Sequence, residues 1–540
     1  MRNKKLVRAL AIVLAVLLAG GVVFSALFSA LSEGATLAEG ATLAEGATLA
    51  EGATLAEGAT LAEGATLAKG ATLAEGARDR NTLTMEYLED EQALHIRQRL
   101  LYTNHSADRL DSVLFYAAGN MLRRESALMY GADDLEEVFF AGYVPGGIDL
   151  RAVLCDGEPA EYGFQGEAEL YLRVACDLAA GETCAFEFDC YLLLTRCGAF
   201  QGVGATDARL SAFLFIPGVY DARYHEFRVN KPLPWTRWLH CGAADYDAEL
   251  TLPEGYALAS TGVARETGRA DGRATWHIEA ENVRELALCF GRRYRAFERK
   301  TDSGVTVRVL TNVRGAGARA LDAAVRAIGQ CEAWFGPFPV SEFEIAQSDY
   351  PLGALDFPGL VWLPEALLGA GKRAEMTQAL RVCVARQYFG LSAYVEPSAD
   401  AWLSDSVSAY VGYLLLEAAE GHEAFLKAVN RDWVSALQQT VPGGLRVTSD
   451  AALFDAGSYD TVVLRRGAVV FHELREAMGL EGLLAGLAEF CRMGADGHTL
   501  TEMELVEALD RASGGSWEAF LTDWVFNVGD YAEQYIDWFE

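Results

Sequence analysis

The feature that most constrains the fold is a change of apolar period along the chain. Leu94, Ile96, Leu100 and Tyr102 alternate with His95, Arg97, Arg99 and Leu101. Tyr246, Ala248, Leu250 and Leu252 alternate with Asp247, Glu249 and Thr251, and Pro253-Glu254-Gly255 turns the chain. A period of two bounded by turn residues specifies antiparallel β-structure. From about Arg299 the pattern mixes: Val305, Val307 and Val309 predict a strand, Ala320 to Cys331 a helix, and Phe343 to Ala346 another strand. Beyond Glu375 the spacing is helical, over Met376–Tyr388, Leu403–Ala418, Glu423–Leu437, Arg465–Met478 and Leu483–Cys491. Two periods segregated along one chain specify an α+β protein, and 540 residues exceed what one hydrophobic core normally serves.

The first residues carry four positive charges, Arg2, Lys4, Lys5 and Arg8, followed by an uncharged apolar run from Ala9 to Leu31. A helix of about 20 such residues crosses a bilayer. The charge bias keeps the short tail 1–8 in the cytoplasm and the bulk outside. The competing expectation is a cleaved signal peptide, with Thr36-Leu37-Ala38 as a cleavage site. From Glu33 the unit E-G-A-T-L-A then repeats seven times to Ala74, with Lys69 replacing Glu in the last copy. A glycine every sixth residue opposes helix, and one leucine per unit makes no ordinary core. The expectation is a flexible stalk. The alternative is a hexapeptide coil of three units per turn, for which seven copies give little more than two turns.

A net charge of −31 argues against nucleic acid and against anionic lipid as partners. Five of the ten cysteines, Cys155, Cys176, Cys184, Cys190 and Cys197, crowd one stretch. Disulfides or buried free thiols both fit them, and no zinc-module spacing does.

The segment Arg381-Val382-Cys383-Val384-Ala385-Arg386-Gln387-Tyr388-Phe389-Gly390, with Ala401-Trp402-Leu403-Ser404-Asp405 after it, resembles the zinc site of the aminopeptidase N family of metallopeptidases. That family reads H-E-L-A-H-Q-W-F-G and then W-L-N-E-G. Gly353-Ala354-Leu355-Asp356-Phe357-Pro358 is similar to its G-A-M-E-N strand edge, and Trp334-Phe335-Gly336-Pro337-Phe338-Pro339 to its W-F-G-P-Y-P. Leu464-Arg465-Arg466-Gly467 stands where the family has Y-x-K-G, and Ser516 to Trp524 resembles its closing helix. The resemblance covers most of the chain after about residue 80. It implies an N-terminal β-domain at 79–298 and a thermolysin-like peptidase-type domain at 299–540, after the tail 1–8, anchor 9–31 and repeat stalk 32–78 read from the charges and the repeats.

The resemblance also implies what is missing. The two His ligand positions are Val382 and Arg386, the Glu base position is Cys383, the third ligand position is Asp405 and the Tyr position is Leu464. Valine has no donor atom and arginine no lone pair to give, so one carboxylate remains where zinc needs about three protein ligands. No catalytic and no metal-binding residue is therefore expected, and no cofactor. Asp356, Asp405 and Arg386 are expected to face the old cleft. Arg386 is expected to form an ion pair with Asp405 across the metal position. The function implied is that of a membrane-anchored pseudopeptidase binding a peptide or protein. The alternatives are an active zinc peptidase with displaced ligands and a purely structural ectodomain. His472-Glu473 lacks the second His of a zinc motif and fits a solvated helix face better.

Overall fold

The computed structural model describes residues 78–528 except 126, 127, 129 and 131, together with the Thr-Leu dipeptide of each repeat. The expected tail and anchor lie outside the described residues, among which no helix is long and apolar enough to cross a membrane. The repeat dipeptides pair in parallel, Leu37 with Leu55 and Leu55 with Leu73, and likewise Leu43 with Leu61 and Leu49 with Leu67. Every pairing thus skips two copies to reach the third, the spacing of the hexapeptide coil.

The alternating segments form an eight-stranded sheet. Its order is Glu158–Pro159, Gly147–Cys155, Thr183–Leu193, Ala93–Thr103, Asp79–Leu88, Ala244–Pro253, Arg273–Val283 and Val263–Ala270. All neighbours are antiparallel except Asp79–Leu88 with Ala244–Pro253. The alternation follows from burial on one face: in Ala244–Pro253, Tyr246, Ala248, Leu250 and Leu252 are buried while Asp247 and Glu249 are exposed. A four-stranded sheet covers that face. Phe115 from its strand Leu110–Tyr116 meets Phe186 and Phe188 edge to face, with ring centroids 5.0 and 5.3 Å apart.

A second sheet of five strands follows, ordered Arg295–Lys300, Thr306–Thr311, Glu342–Ser348, Leu360–Pro364 and Leu355–Phe357. Its first strand spans the expected boundary at 298/299. The three central strands are parallel and the two edges antiparallel. Helix α1 (Ala316–Phe335) is the crossover, and α2 (Arg373–Tyr388), α3 (Ala401–Glu420) and α4 (Gly467–Met478) follow. The expected helix Glu423–Leu437 is broken: Asn430–Val434 winds as a π-helix between Val429 and Ser435. A second π-segment, Asp460–Arg466, leads into α4, so the helix expected from Arg465 begins inside it. His472 is buried in α4 instead of lying on a solvated face, because Phe425 and Trp433 pack against its ring.

Buried polar contacts stitch this second sheet to a further small one, ordered Gly202–Val203, Ala208–Leu210, Leu288–Gly291 and Ala257–Ser260. Arg308 donates to Glu344 at 2.7 Å, and also to the Leu258 carbonyl, while Glu344 accepts from the Ser260 amide. The fully buried Arg209–Asp207 pair receives Ser348 Oγ at 3.0 Å from the other sheet.

Candidate functional site

Three elements converge under the second sheet. The edge strand Leu355–Phe357 presents Asp356, paired with Val361. Gln387 of α2 fastens to the same hairpin: its Oε1 accepts from the Gly359 amide at 2.9 Å, and its Nε2 donates to the Phe357 carbonyl at 3.2 Å. That double clamp fixes the turn of α2 carrying Arg386 beside Asp356. Helix α3 then crosses α2 closely. A Cβ added at Gly412 would lie 2.8 Å from Val382 Cγ2, so Val382 lies flat against α3. Asp405 opens the second turn of α3.

Arg386 fills the meeting point. Its Nη1 donates to Asp356 Oδ1 at 3.0 Å, and its Nε stands 3.1 Å from Asp405 Oδ1. The second approach is within ion-pair distance but off the N–H axis, so it is Coulombic and Nε has no hydrogen-bond partner. Both carboxylates are almost fully buried, at 1% and 2% exposure. The expected ion pair therefore has a third member, Asp356.

Asp405 is held by more than Arg386. Tyr459 donates to its Oδ2 at 2.6 Å and Thr236 at 2.9 Å. Arg237 Nη2 lies 3.3 Å from Oδ1 and also contacts Ser404 Oγ. Two guanidiniums thus meet two carboxylates. Burial alone would raise the Asp405 carboxyl, but Arg386, Arg237, Tyr459 and Thr236 together hold it below the ordinary range. Burial opposes the charge on Arg386, and the Asp405 and Asp356 carboxylates overcome it, so Arg386 stays a cation. The Cys383 thiol, 1% exposed, is pushed well above its usual value by burial and then by Asp356. It is a neutral thiol, neither a general base nor a ready nucleophile.

Thr236, Arg237 and Tyr459 were not legible in the sequence. The first two come from the irregular stretch between Glu226–Arg228 and Ala244–Pro253. Tyr459 precedes the π-segment, while Leu464, at the expected Tyr position, lies within it and is partly buried against the core. The resemblance to the family's Y-x-K-G falls on Leu464, and so points past the hydroxyl nearest Asp405.

A small recess, partly open to solvent, adjoins the site. Asp405, Ser404, Thr236 and Arg237 form one wall, and Phe200, Trp238, Leu239, Phe357 and Tyr394 give it apolar sides. Asp356 and Arg386 are not among its lining residues. Arg237 Nη1 and Asp356 Oδ2 are buried without a hydrogen-bond partner.

These residues do not fit a zinc ion. A cation already stands between the two carboxylates, and Val382 offers no donor. Among the described residues no group of three or more His, Cys, Asp or Glu side chains converges as a metal site requires.

The chain is 26% identical over 316 residues to aminopeptidase M1-B of Oryza sativa subsp. japonica, covering 53% of this chain and 34% of the relative. It is 27% identical over 252 residues to aminopeptidase N of Lactococcus lactis subsp. lactis, covering 43% and 29%. It thus spans about a third of the length of these curated relatives. No family model matches it. Among solved structures, the M1 zinc metallopeptidase of Deinococcus radiodurans superposes with a TM-score of 0.57 at 17% identity, covering 83% of this chain and 92% of that one. A two-domain M1 zinc metallopeptidase mutant bound to L-arginine gives 0.58, also at 17% identity, covering 83% and 93%.

Proposed function

The chain is a member of the M1 aminopeptidase family, and on that premise we propose that it is a pseudopeptidase: it keeps the fold and the cleft and holds a peptide or protein segment without cleaving it. The observation that carries this is Arg386, bound between Asp356 and Asp405 where the family places its metal. A permanently protonated guanidinium supplies charge and directed N–H groups but no Lewis acidity and no activated water. The neutral, buried Cys383 adds no base. The apolar walls of the recess, with Asp405 and Arg237 on one side, suit a peptide that brings both a side chain and polar backbone groups.

The decisive measurement is zinc content by plasma emission alongside hydrolysis of aminoacyl arylamides by the purified protein. No cleavage above blank is expected with added zinc. Stoichiometric zinc whose removal by chelator abolishes cleavage would instead establish an active peptidase with displaced ligands. Val382→His, Cys383→Glu, Arg386→His and Asp405→Glu together are expected to restore metal binding before turnover. Peptide binding is read by calorimetry with a peptide mixture, and Trp238→Ala is expected to weaken it. Retention by a membrane belongs to the same proposal and rests on the Ala9–Leu31 run and the charges before it. Protease shaving of intact cells is expected to release the bulk of the chain, and a mature N-terminus near Glu39 would refute the anchor.

A further inference from the structure

All ten cysteines are free thiols, and three gather at one corner of the β-domain. Cys155 ends the strand Gly147–Cys155, Cys184 lies in the neighbouring strand Thr183–Leu193, and Cys176 lies in Tyr171–Leu178 of the covering sheet. Register places the first two together. Val153 pairs with Phe188 and Cys155 with Phe186, antiparallel. Side chains alternate faces along a strand, so Cys184 shares the inward face of Phe186 and Phe188, as Cys155 shares that of Val153. Cys184 is therefore the diagonal neighbour of Cys155 on one face, close enough for the Cys155 thiol to push that of Cys184 up. Cys176 approaches from above, its Sγ 3.9 Å from the Leu110 carbonyl.

The three thiols differ in access. Cys155 is half-buried and sits where its strand gives way to the Asp156-Gly157 turn, both residues in the left-handed region. Cys184 is 2% exposed. Burial pushes Cys176 up to about 12, with Cys155 the next contributor. Cys176 is half-buried like Cys155, so an oxidant from solution meets either of these before Cys184, and the strand end at Cys155 has the freedom to close a bond whose geometry is demanding.

We propose that Cys155 and Cys184 form an inter-strand disulfide when the protein meets a low-molecular-weight disulfide, with Cys176 as the alternative partner for exchange. The Cys155 thiolate attacks one sulfur of oxidised glutathione and expels one glutathione thiolate. Cys184, deprotonated in turn, attacks the Cys155 sulfur of the mixed disulfide and expels the second. The protein loses two protons and two electrons, and the reagent is reduced to two thiols. The bond joins neighbouring strands of the large sheet and closes a loop that contains the strands Tyr162–Gln165 and Tyr171–Leu178 of the covering sheet.

The test is peptide mass mapping under non-reducing conditions, after the full chain has been treated with oxidised glutathione or with a phosphine reductant and then alkylated. The expected result is one linked pair, Cys155 with Cys184, present only after oxidation. Cys155→Ser should abolish it, Cys184→Ser should move the link to Cys155 and Cys176, and Cys190→Ser should leave it intact. Cys190 serves as the control because its cross-strand neighbours are Leu150 and Ile96. Glutathione left on Cys155 without a link, complete alkylation of all ten thiols after oxidation, or a link to another thiol in the unsubstituted chain would each overturn the proposal. The unsubstituted chain decides alone if a serine variant fails to fold.

Discussion

Arg386 is the residue on which the centre depends. Two buried carboxylates a few ångströms apart repel each other and are poorly solvated, and a single guanidinium answers both. Arg386→Ala leaves Asp405 with Arg237, Tyr459 and Thr236 but strands Asp356, whose Oδ2 already lacks a partner. The expected cost is about 3–5 kcal/mol in urea unfolding, the range for breaking a buried pair from one side. Adding Asp356→Asn should recover part of that loss, since the stranded charge is then gone. Asp405 carries a pH signature. Its folded carboxyl is held below the ordinary range, so its contribution is present above the unfolded value near 4 and fades as pH falls through the folded one. The stability gap between Asp405→Asn and the parent protein should therefore shrink on acidification below about pH 4. A gap that is constant with pH would show that Asp405 contributes only through packing.

At the scale of elements, the crossing of α2 and α3 depends on Gly412. Gly412→Val drives new atoms into Val382 and should cost about 1–3 kcal/mol by overpacking, measured by thermal or urea unfolding. Tyr459→Phe removes a 2.6 Å hydrogen bond and leaves Asp405 with one donor fewer, at a cost of about 1–2 kcal/mol. Changing Leu464, outside that contact, should leave Asp405 untouched. Much of the element order was legible because burial is one-sided: Tyr246 to Leu252 alternate, and α2 and α3 carry dense apolar spacing. The site was legible in part. Val382, Cys383, Arg386 and Asp405 lie on regular helices whose phase can be counted. Thr236 and Arg237 come from a stretch without a period, and Tyr459 stands ahead of the Leu464 segment that resembles the family's Tyr motif. No local pattern announces either one. The third carboxylate contact, Arg386 to Asp356, joins a strand edge to a helix and depends on the Gln387 clamp, which sequence spacing does not show.

For the whole molecule, buried histidines set the acid limit. Burial, with Arg475 the next contributor, lowers the His472 pKa to about 4, and burial lowers His240 as well. An unfolded chain takes up protons at these sites below about 6.5, while the folded chain refuses them. Stability from His472 is thus complete above about pH 6.5 and is lost as pH falls towards 4, by about 3 kcal/mol at most. A thermal midpoint that declines across that window, and a flatter decline in His472→Phe, would confirm the assignment; an unchanged slope would refute it. The same histidine packs against Phe425 and Trp433, so protonation should loosen the helices beyond the first π-segment before the β-domain.

The parallel stacking of the repeats sets a rule of thirds. Their Thr-Leu pairs fall into three stacks, one running through copies one, four and seven, the others through two and five and through three and six. Inserting or deleting three copies changes the length by a full layer, about 4.8 Å, and leaves the same stack next to the β-domain. Gaining or losing a single copy lengthens or shortens one stack alone and makes a different stack the last before the β-domain along the chain. Copy number then sets which stack carries the unpaired end, so two alleles differing by one hexapeptide would offer a different Thr-Leu edge to the next copy.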